Sequence, residues 1–145
     1  MTCVMKPEDY DGAYALWLSC SGMGLNDLDD SRDGFESFLR RNPTTCFTAW
    51  EDGELVGTIL CGHDGRRGYI YHTAVRLDCR GRGIGIELVQ ASLEGLKEAG
   101  IHKAALVVFS NNQDGNAFWE RQGFTLREDL TYRNQALGEM KPIDT

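Results

Sequence analysis

The stretch that most constrains this chain is DCRGRGIGIEL, residues 78–88. It follows a strand-forming run, YIYHTAV, and opens a helical pattern with Ile84, Leu88, Leu93 and Leu96 on one side. Gly81, Gly83 and Gly85 let the backbone come close to a ligand. The first amides of a helix have no intrahelical acceptor, and the helix dipole favours an anion in front of them. Arg80 and Arg82 add positive charge. A strand, a turn of this composition and a helix together make a cradle for phosphate or pyrophosphate. It is not a P-loop, which needs a Lys-Ser or Lys-Thr pair after its glycines. Nor is it a dinucleotide fingerprint. Counted from Gly81, the third glycine would fall on Ile86, and AALVVF, about twenty residues on, holds no acid. A turn that binds nothing would not need three glycines interleaved with two arginines.

The rest of the chain supports one α/β domain over residues 1–145. Cys3–Met5 reads as a short strand, and Pro7 opens a helix with Glu8 and Asp9 in its first turn. Ser31 or Asp30 caps a second helix through Phe35, Phe38 and Leu39, which ends at Asn42-Pro43. CFTAW and LVGTILCG around Asp52-Gly53 form a hairpin signal. YIYHTAV is a third strand of that sheet. Ile84 to Ala99 is a helix stopped by Gly100. AALVVF, apolar throughout, reads as a strand buried on both faces. Asp114–Gln122 is a short helix, and FTLRED and LTYRNQAL read as two closing strands. The expected order is β α α β β β α β α β β.

Composition excludes several classes of function. A net charge of −7 argues against a nucleic-acid scaffold, which needs a basic face. No stretch approaches 18 apolar residues, so no membrane span is expected. The N-terminal MTCVMKPEDYDG has neither a basic start nor an apolar core, and a cytoplasmic location is expected. Five scattered cysteines without a CxxC pair, and three scattered histidines, give no disulfide framework and no metal site.

Arg80, Gly83 and Gly85 form an Arg-x-x-Gly-x-Gly pattern, which resembles the acetyl-CoA turn of the GCN5-related N-acetyltransferases, the GNAT family. A second signature of that family follows, an Asn, an aromatic seven residues on, and a Gly-Phe pair; here these are Asn112, Trp119, Gly123 and Phe124. GHDGRRGYIYH with FWE is similar to a bacterial subgroup of the family. The resemblance covers nearly the whole chain and implies the single-domain acyl-CoA N-acyltransferase fold, a mixed, mostly antiparallel sheet flanked by helices.

It also implies acetyl-CoA as co-substrate, no metal, and an amine of a small molecule or protein as acceptor. A homodimer is common in the family. The strand before the turn would splay from the next one, with pantetheine in the gap against the backbone of Ala74, Val75 and Leu77. Amides of Arg80, Gly81, Arg82, Gly83, Ile84 and Gly85 would take the pyrophosphate. Asn112 would reach the pantetheine arm, or else simply cap the helix that follows. The reaction would be direct attack of a neutral amine on the thioester. A module that binds acyl-CoA without turnover is the alternative, because the family's glutamate bases have no counterpart here: Tyr69 stands at one of their places.

The remaining candidates for proton transfer are His72, Tyr71 and Tyr69. His72 has a suitable intrinsic pKa. By simple alternation Tyr69, Tyr71 and Thr73 share one strand face and His72 points to the other, unless a bulge intervenes. Trp119 stands where the family most often has the tyrosine that protonates the leaving thiolate. An indole donates a hydrogen bond but does not titrate near neutrality. Trp119 therefore reads as core packing, as a wall of the thiol pocket, or as the mark of a lost activity. On the acceptor side, Asp27 and Asp30, with Asp29 and Asp33 nearby, could attract a cationic amine; acids there also simply suit a helix N-terminus.

Overall fold

A computed structural model describes residues 1–143; the last two positions of the expected domain lie outside the described residues. Strand β1 (Thr2–Val4) leads through a 3-10 turn at Pro7–Asp9 into α1 (Tyr10–Leu18). A two-residue strand β2 (Leu25–Asn26) precedes α2 (Arg32–Arg41). Strands β3 (Phe47–Glu51), β4 (Glu54–His63) and β5 (Gly68–Val75) follow, then α3 (Ile84–Glu98), β6 (Ala104–Ala105), α4 (Gln113–Arg121) and β7 (Pro142–Ile143). The main sheet runs β1-β3-β4-β5-β6, and β2 pairs with β7 apart from it. Every pairing in the main sheet is antiparallel except β5 with β6. This is the mixed, mostly antiparallel sheet with flanking helices that the sequence implied.

Local chemistry explains the elements. Asp52 (φ 52°) and Gly53 (φ 78°) are both left-handed, as a two-residue hairpin loop matched to strand twist requires. Ser31, not Asp30, caps α2: its hydroxyl accepts from the Gly34 amide at 3.0 Å. The two sheet faces carry separate cores. On one, α1 and α2 bury Trp17, Phe35, Leu39 and Leu60. On the other, α3 buries Leu88, Val89 and Leu96 against Val56, Ile59 and Ile70. Trp17 is fully buried, and its indole N–H donates to the Thr58 hydroxyl at 3.0 Å. Burial pushes the Cys46 and Cys61 thiols up to about 12, so both are inert at neutral pH.

Two expectations about strands are corrected. AALVVF is a ladder only at Ala104–Ala105; beyond it Val107 and Phe109 are each 57% exposed. The segment diverges from β5 after two residue pairs, Gly68 with Ala104 and Tyr69 with Ala105, so nothing holds the rest in register. FTLRED and LTYRNQAL form no ladder with any described strand. Their residues from 125 on are exposed, and β propensity without a partner strand or a covered face does not make a strand. The chain instead runs on to β7, which pairs Ile143 with Leu25 and Pro142 with Asn26.

The bulge expected as an exception is present. Ile59 pairs with Thr73 and Cys61 with Ile70, so Leu60 faces two residues, Tyr71 and His72. The extra residue turns both side chains to the α1/α2 face. Tyr71 meets Phe38 edge-on with ring centroids 5.6 Å apart, and His72 meets Trp17 at 4.9 Å.

Candidate functional site

The divergence of β5 from β6 opens a gap whose wall can be read from backbone alternation. The Arg76 amide donates to Val56 O at 2.8 Å, so its peptide faces β4. Peptide groups alternate along a strand. Ala74, in register with Thr58, therefore also faces β4, while Thr73 and Val75 face the gap. The Val75 carbonyl confirms the direction, since it accepts from Arg80 Nε at 2.8 Å across that side. Of the expected backbone contacts, Val75 is thus well placed. Ala74 is engaged with β4, Leu77 has left the strand for a 3-10 turn, and Thr73, which sequence reasoning missed, takes their place. The pairing of β5 with β4, which decides which peptides are free, has no mark in the local sequence.

The cradle lies at the end of this wall. Gly81 (φ 80°) and Gly83 (φ 85°) are left-handed, and no atom lies within 4 Å of where a Cβ would stand on either. That empty space is what a close-lying anion needs, and the left-handed backbone explains why glycine occupies both positions. The first ladder bond of α3 is Glu87 N–H to Gly83 O at 3.1 Å, so the amides of residues 84–86 have no ladder acceptor. Gly85 serves packing: a Cβ there would come within 3.3 Å of the Phe118 ring on α4. Arg82 donates to Glu51 Oε1 at 2.8 Å and to Asp78 O at 3.0 Å. Arg82 is held at the cradle by weak, exposed contacts that an anionic ligand could outcompete, and Arg80 by the exposed Val75 carbonyl and a part-buried 3.7 Å contact of Nη2 with the Cys20 thiol. The arrangement fits a pyrophosphate joined to an extended amide-bearing arm, which is what coenzyme A carries.

Asn112 caps α4, its Oδ1 accepting from Gly115 N–H at 2.9 Å. Its Nδ2 donates to no described residue and lies over Gly115, where a Cβ would collide with it. Trp119 is half-buried in the α3-side core, edge-on to Phe118 (5.1 Å) and Phe124 (5.2 Å), and its indole N–H meets no acceptor among the described residues. Packing is therefore an observed role of Trp119, and one donor remains available on it.

The α1/α2 side of the bulge carries the titratable groups. His72 Nε2 donates to Asp30 Oδ1 at 2.6 Å, and their side chains are 13% and 5% exposed. Asp30 Oδ2 accepts from the Asn26 amide at 2.9 Å, and Tyr10 donates its hydroxyl to Asp30 O at 2.7 Å. Asp30, expected to face the acceptor, is corrected: its carboxylate points inward and clamps the α1–α2 connection onto β5. Asp27 is occupied as well, accepting from the Lys141 amide at 2.7 Å. Tyr69 and Tyr71 lie together, ring centroids 4.7 Å apart. Burial raises the pKa of both. The Tyr132 phenol adds to each, and the Asp29 carboxylate adds to Tyr71. Both tyrosines are therefore protonated at neutral pH and serve as donors, not bases.

Among the described residues no helix is long and apolar enough to cross a membrane, and no group of three or more His, Cys, Asp or Glu side chains is placed to hold a metal.

Comparison with known proteins converges on one assignment. The model of the acetyltransferase (GNAT) family matches residues 10–124. Acetyltransferase ECA0875 of Pectobacterium atrosepticum is 30% identical over 128 residues, which cover 88% of this chain and 89% of that protein. Acetyltransferase SG1711 of Sodalis glossinidius is 29% identical over 136 residues, 94% of each chain. In fold, the structure is similar to the PaiA N-acetyltransferase of Thermoplasma acidophilum in complex with coenzyme A, with a TM-score of 0.77 at 16% identity, covering 88% of this chain and 91% of that one. The chain belongs to the GNAT acetyltransferase family.

Proposed function

We propose that this protein transfers an acetyl group from acetyl-CoA directly to an amine. The observation that carries the reading is the continuity of the gap wall at Thr73 and Val75 with the open glycine cradle at residues 80–85. Bound acetyl-CoA supplies a thioester whose carbonyl carbon an amine can attack. The protein's part begins with position. The Thr73 and Val75 peptides align the pantetheine amides, the residue 81–86 amides with Arg80 and Arg82 hold the pyrophosphate, and Asn112 Nδ2 meets the arm from α4. Holding both reactants in one gap converts a bimolecular encounter into a local one. A peptide N–H facing the gap polarises the thioester oxygen as negative charge grows there.

His72 acts by position. Its Nε2–H is committed to Asp30, and this bond fixes the bulge and with it the direction of the Thr73 and Val75 amides. The amine proton leaves to solvent past Tyr71, which is 51% exposed. On the leaving side, Trp119 Nε1–H donates a hydrogen bond to the departing thiolate, which needs no strong acid because a thiol of pKa near 8.5 leaves readily. The alternative, a module without turnover, rests on the absent glutamate bases alone, and a proton route to solvent removes the need for one.

The reading is tested by release of free thiol from acetyl-CoA with a panel of primary amines. Thiol release is expected only when amine and protein are both present. Trp119→Phe keeps the aromatic packing and removes the N–H, and should lower kcat about tenfold, the worth of one hydrogen bond to a charged group. An unchanged kcat would restrict Trp119 to packing. Acetyl-CoA binding without thiol release on any amine would overturn the transfer reading.

A further inference from the structure

The end of the sheet opposite the cradle gathers positive charge that the transfer chemistry does not use. Three segments meet there: the end of α2 with the loop after it (40–46), the β4–β5 turn (63–68), and the end of α3 with the approach to β6 (97–104). Missing side chains let them close together. A Cβ on Gly62 would come within 2.7 Å of the Asn42 side chain, one on Gly68 within 2.6 Å of Leu96, and one on Gly95 within 2.8 Å of the Thr44 carbonyl oxygen. Hydrogen bonds complete the join: the His63 amide donates to Asn42 Oδ1 at 3.0 Å, and the Gly68 amide to Lys103 O at 2.9 Å.

These segments hold six of the 15 Lys and Arg residues but two of the 22 Asp and Glu, Asp64 and Glu98. The whole chain is −7, so this end is +4 and the remainder −11. The six are Arg40, Arg41, Arg66, Arg67, Lys97 and Lys103, and all are exposed. None forms an ion pair with a described residue. Asp64 is committed to its own turn, where Oδ1 accepts the Arg66 and Arg67 amides, each at 2.8 Å. Arg40, Arg41 and Lys97 stand in the last turns of helices, where the dipole favours a cation. That accounts for three of the six and not for Arg66, Arg67 and Lys103. Beside them, Lys97, His102 and Lys103 border a depression of about 110 Å³ floored by Leu93, Leu96 and Ile101.

Cations around an apolar floor match carboxylates that flank an aliphatic side chain. A nucleic acid presents phosphates but no free aliphatic side chain, and the −11 remainder repels a long polyanion. A short acidic segment meets the positive end alone. We propose that this end of the sheet docks an acidic peptide segment of a partner protein, with carboxylates on Arg66, Arg67, Lys97 and Lys103 and an aliphatic side chain over the apolar floor. Gly68 lies roughly 20 Å along β5 from Val75, at about 3.3 Å per residue, so the docked segment leaves the gap free. Docking here is independent of acetyl transfer.

The probe is a fluorescein-labelled peptide, DEDLLEDE, followed by fluorescence anisotropy at about 50 mM salt, where exposed charges are weakly screened. Its controls are NQNLLNQN, without the carboxylates, DEDSSEDE, without the aliphatic pair, and a single-stranded DNA octamer. DEDLLEDE is expected to bind about tenfold more tightly than NQNLLNQN and about threefold more tightly than DEDSSEDE or the DNA, with or without coenzyme A. Arg66→Gln with Arg67→Gln, and Lys97→Gln with Lys103→Gln, should each weaken it about fivefold, as several weak exposed pairs acting together would. Both double variants should melt with the parent protein. No binding of DEDLLEDE, equal binding of either control peptide, tighter binding of the DNA, displacement by coenzyme A, or an affinity unmoved by both double variants overturns the docking site. Sedimentation showing self-association that the double variants abolish would assign this end to a second copy of the chain and overturn it as well.

Discussion

Asp30→Ala is expected to lower the unfolding free energy by about 3 kcal/mol, because a buried polar group left without its partner costs about 1–3 kcal/mol and two are stranded together. The cost stays below the sum of two fully stranded groups because His72 keeps 13% of its side chain exposed. Two bonds disappear together, the one from His72 Nε2 and the one from the Asn26 amide. Stability of a domain this size is about 5–15 kcal/mol, so the loss is a large fraction of the whole. At about 3 °C per kcal/mol, the melting temperature should fall by roughly 10 °C. Asp30→Asn keeps an acceptor for Asn26 and should cost about half as much. Thermal unfolding of both variants checks the order. A change below about 0.5 kcal/mol for Asp30→Ala would mean that the pair does not hold the α1–α2 connection to β5.

The second large effect is on ligand binding. Arg80→Ala combined with Arg82→Ala should weaken acetyl-CoA binding about 100-fold. A hydrogen bond to a charged group contributes about 1.5–3 kcal/mol, and guanidinium–phosphate pairs lie toward the upper part of that range. Part is offset, because Arg80 must leave the Val75 carbonyl and Arg82 must leave Glu51 and the Asp78 carbonyl. Those contacts are exposed, and the part-buried contact of Arg80 with the Cys20 thiol is long at 3.7 Å, so each contributes about 0–1 kcal/mol and a net loss near 3 kcal/mol remains for the pair. For the same reason the double variant should melt within a few degrees of the parent protein. Calorimetric titration reads the affinity directly, and an unchanged value would remove the pyrophosphate from residues 80–85.

The features legible in the sequence are those set by local backbone demands. Asp52-Gly53 could be read because a two-residue loop between strands needs two left-handed residues, and few dipeptides supply them. Gly81 and Gly83 could be read for the same reason, reinforced by the charges interleaved with them. What stayed hidden was set by pairing across the chain. The bulge at Tyr71 and His72 has no local signature, since it arises from Leu60 facing two residues of β5. Which peptides face the gap is likewise set by pairing with β4, which engages Ala74 and leaves Thr73 and Val75 free. Asp30 looked like a helix cap or a surface acid because its partner lies 42 positions away, at His72. Phe38 read as part of the second helix, and its edge-on contact with Tyr71 depends on the missing side chain of Gly62 on another element. The closing strands failed on the same ground. FTLRED and LTYRNQAL have β-forming residues, but propensity for a strand depends on the neighbour that covers it.

The central claim is that acetyl-CoA and the amine occupy the β5–β6 gap together and that no side chain carries the acetyl group in between. Initial rates of thiol release, measured while both substrates are varied, test it most directly. Transfer within one ternary complex predicts double-reciprocal lines that intersect and no thiol released before amine is added. Parallel lines, with stoichiometric thiol released by the protein alone, would show an acetylated protein intermediate and contradict the account.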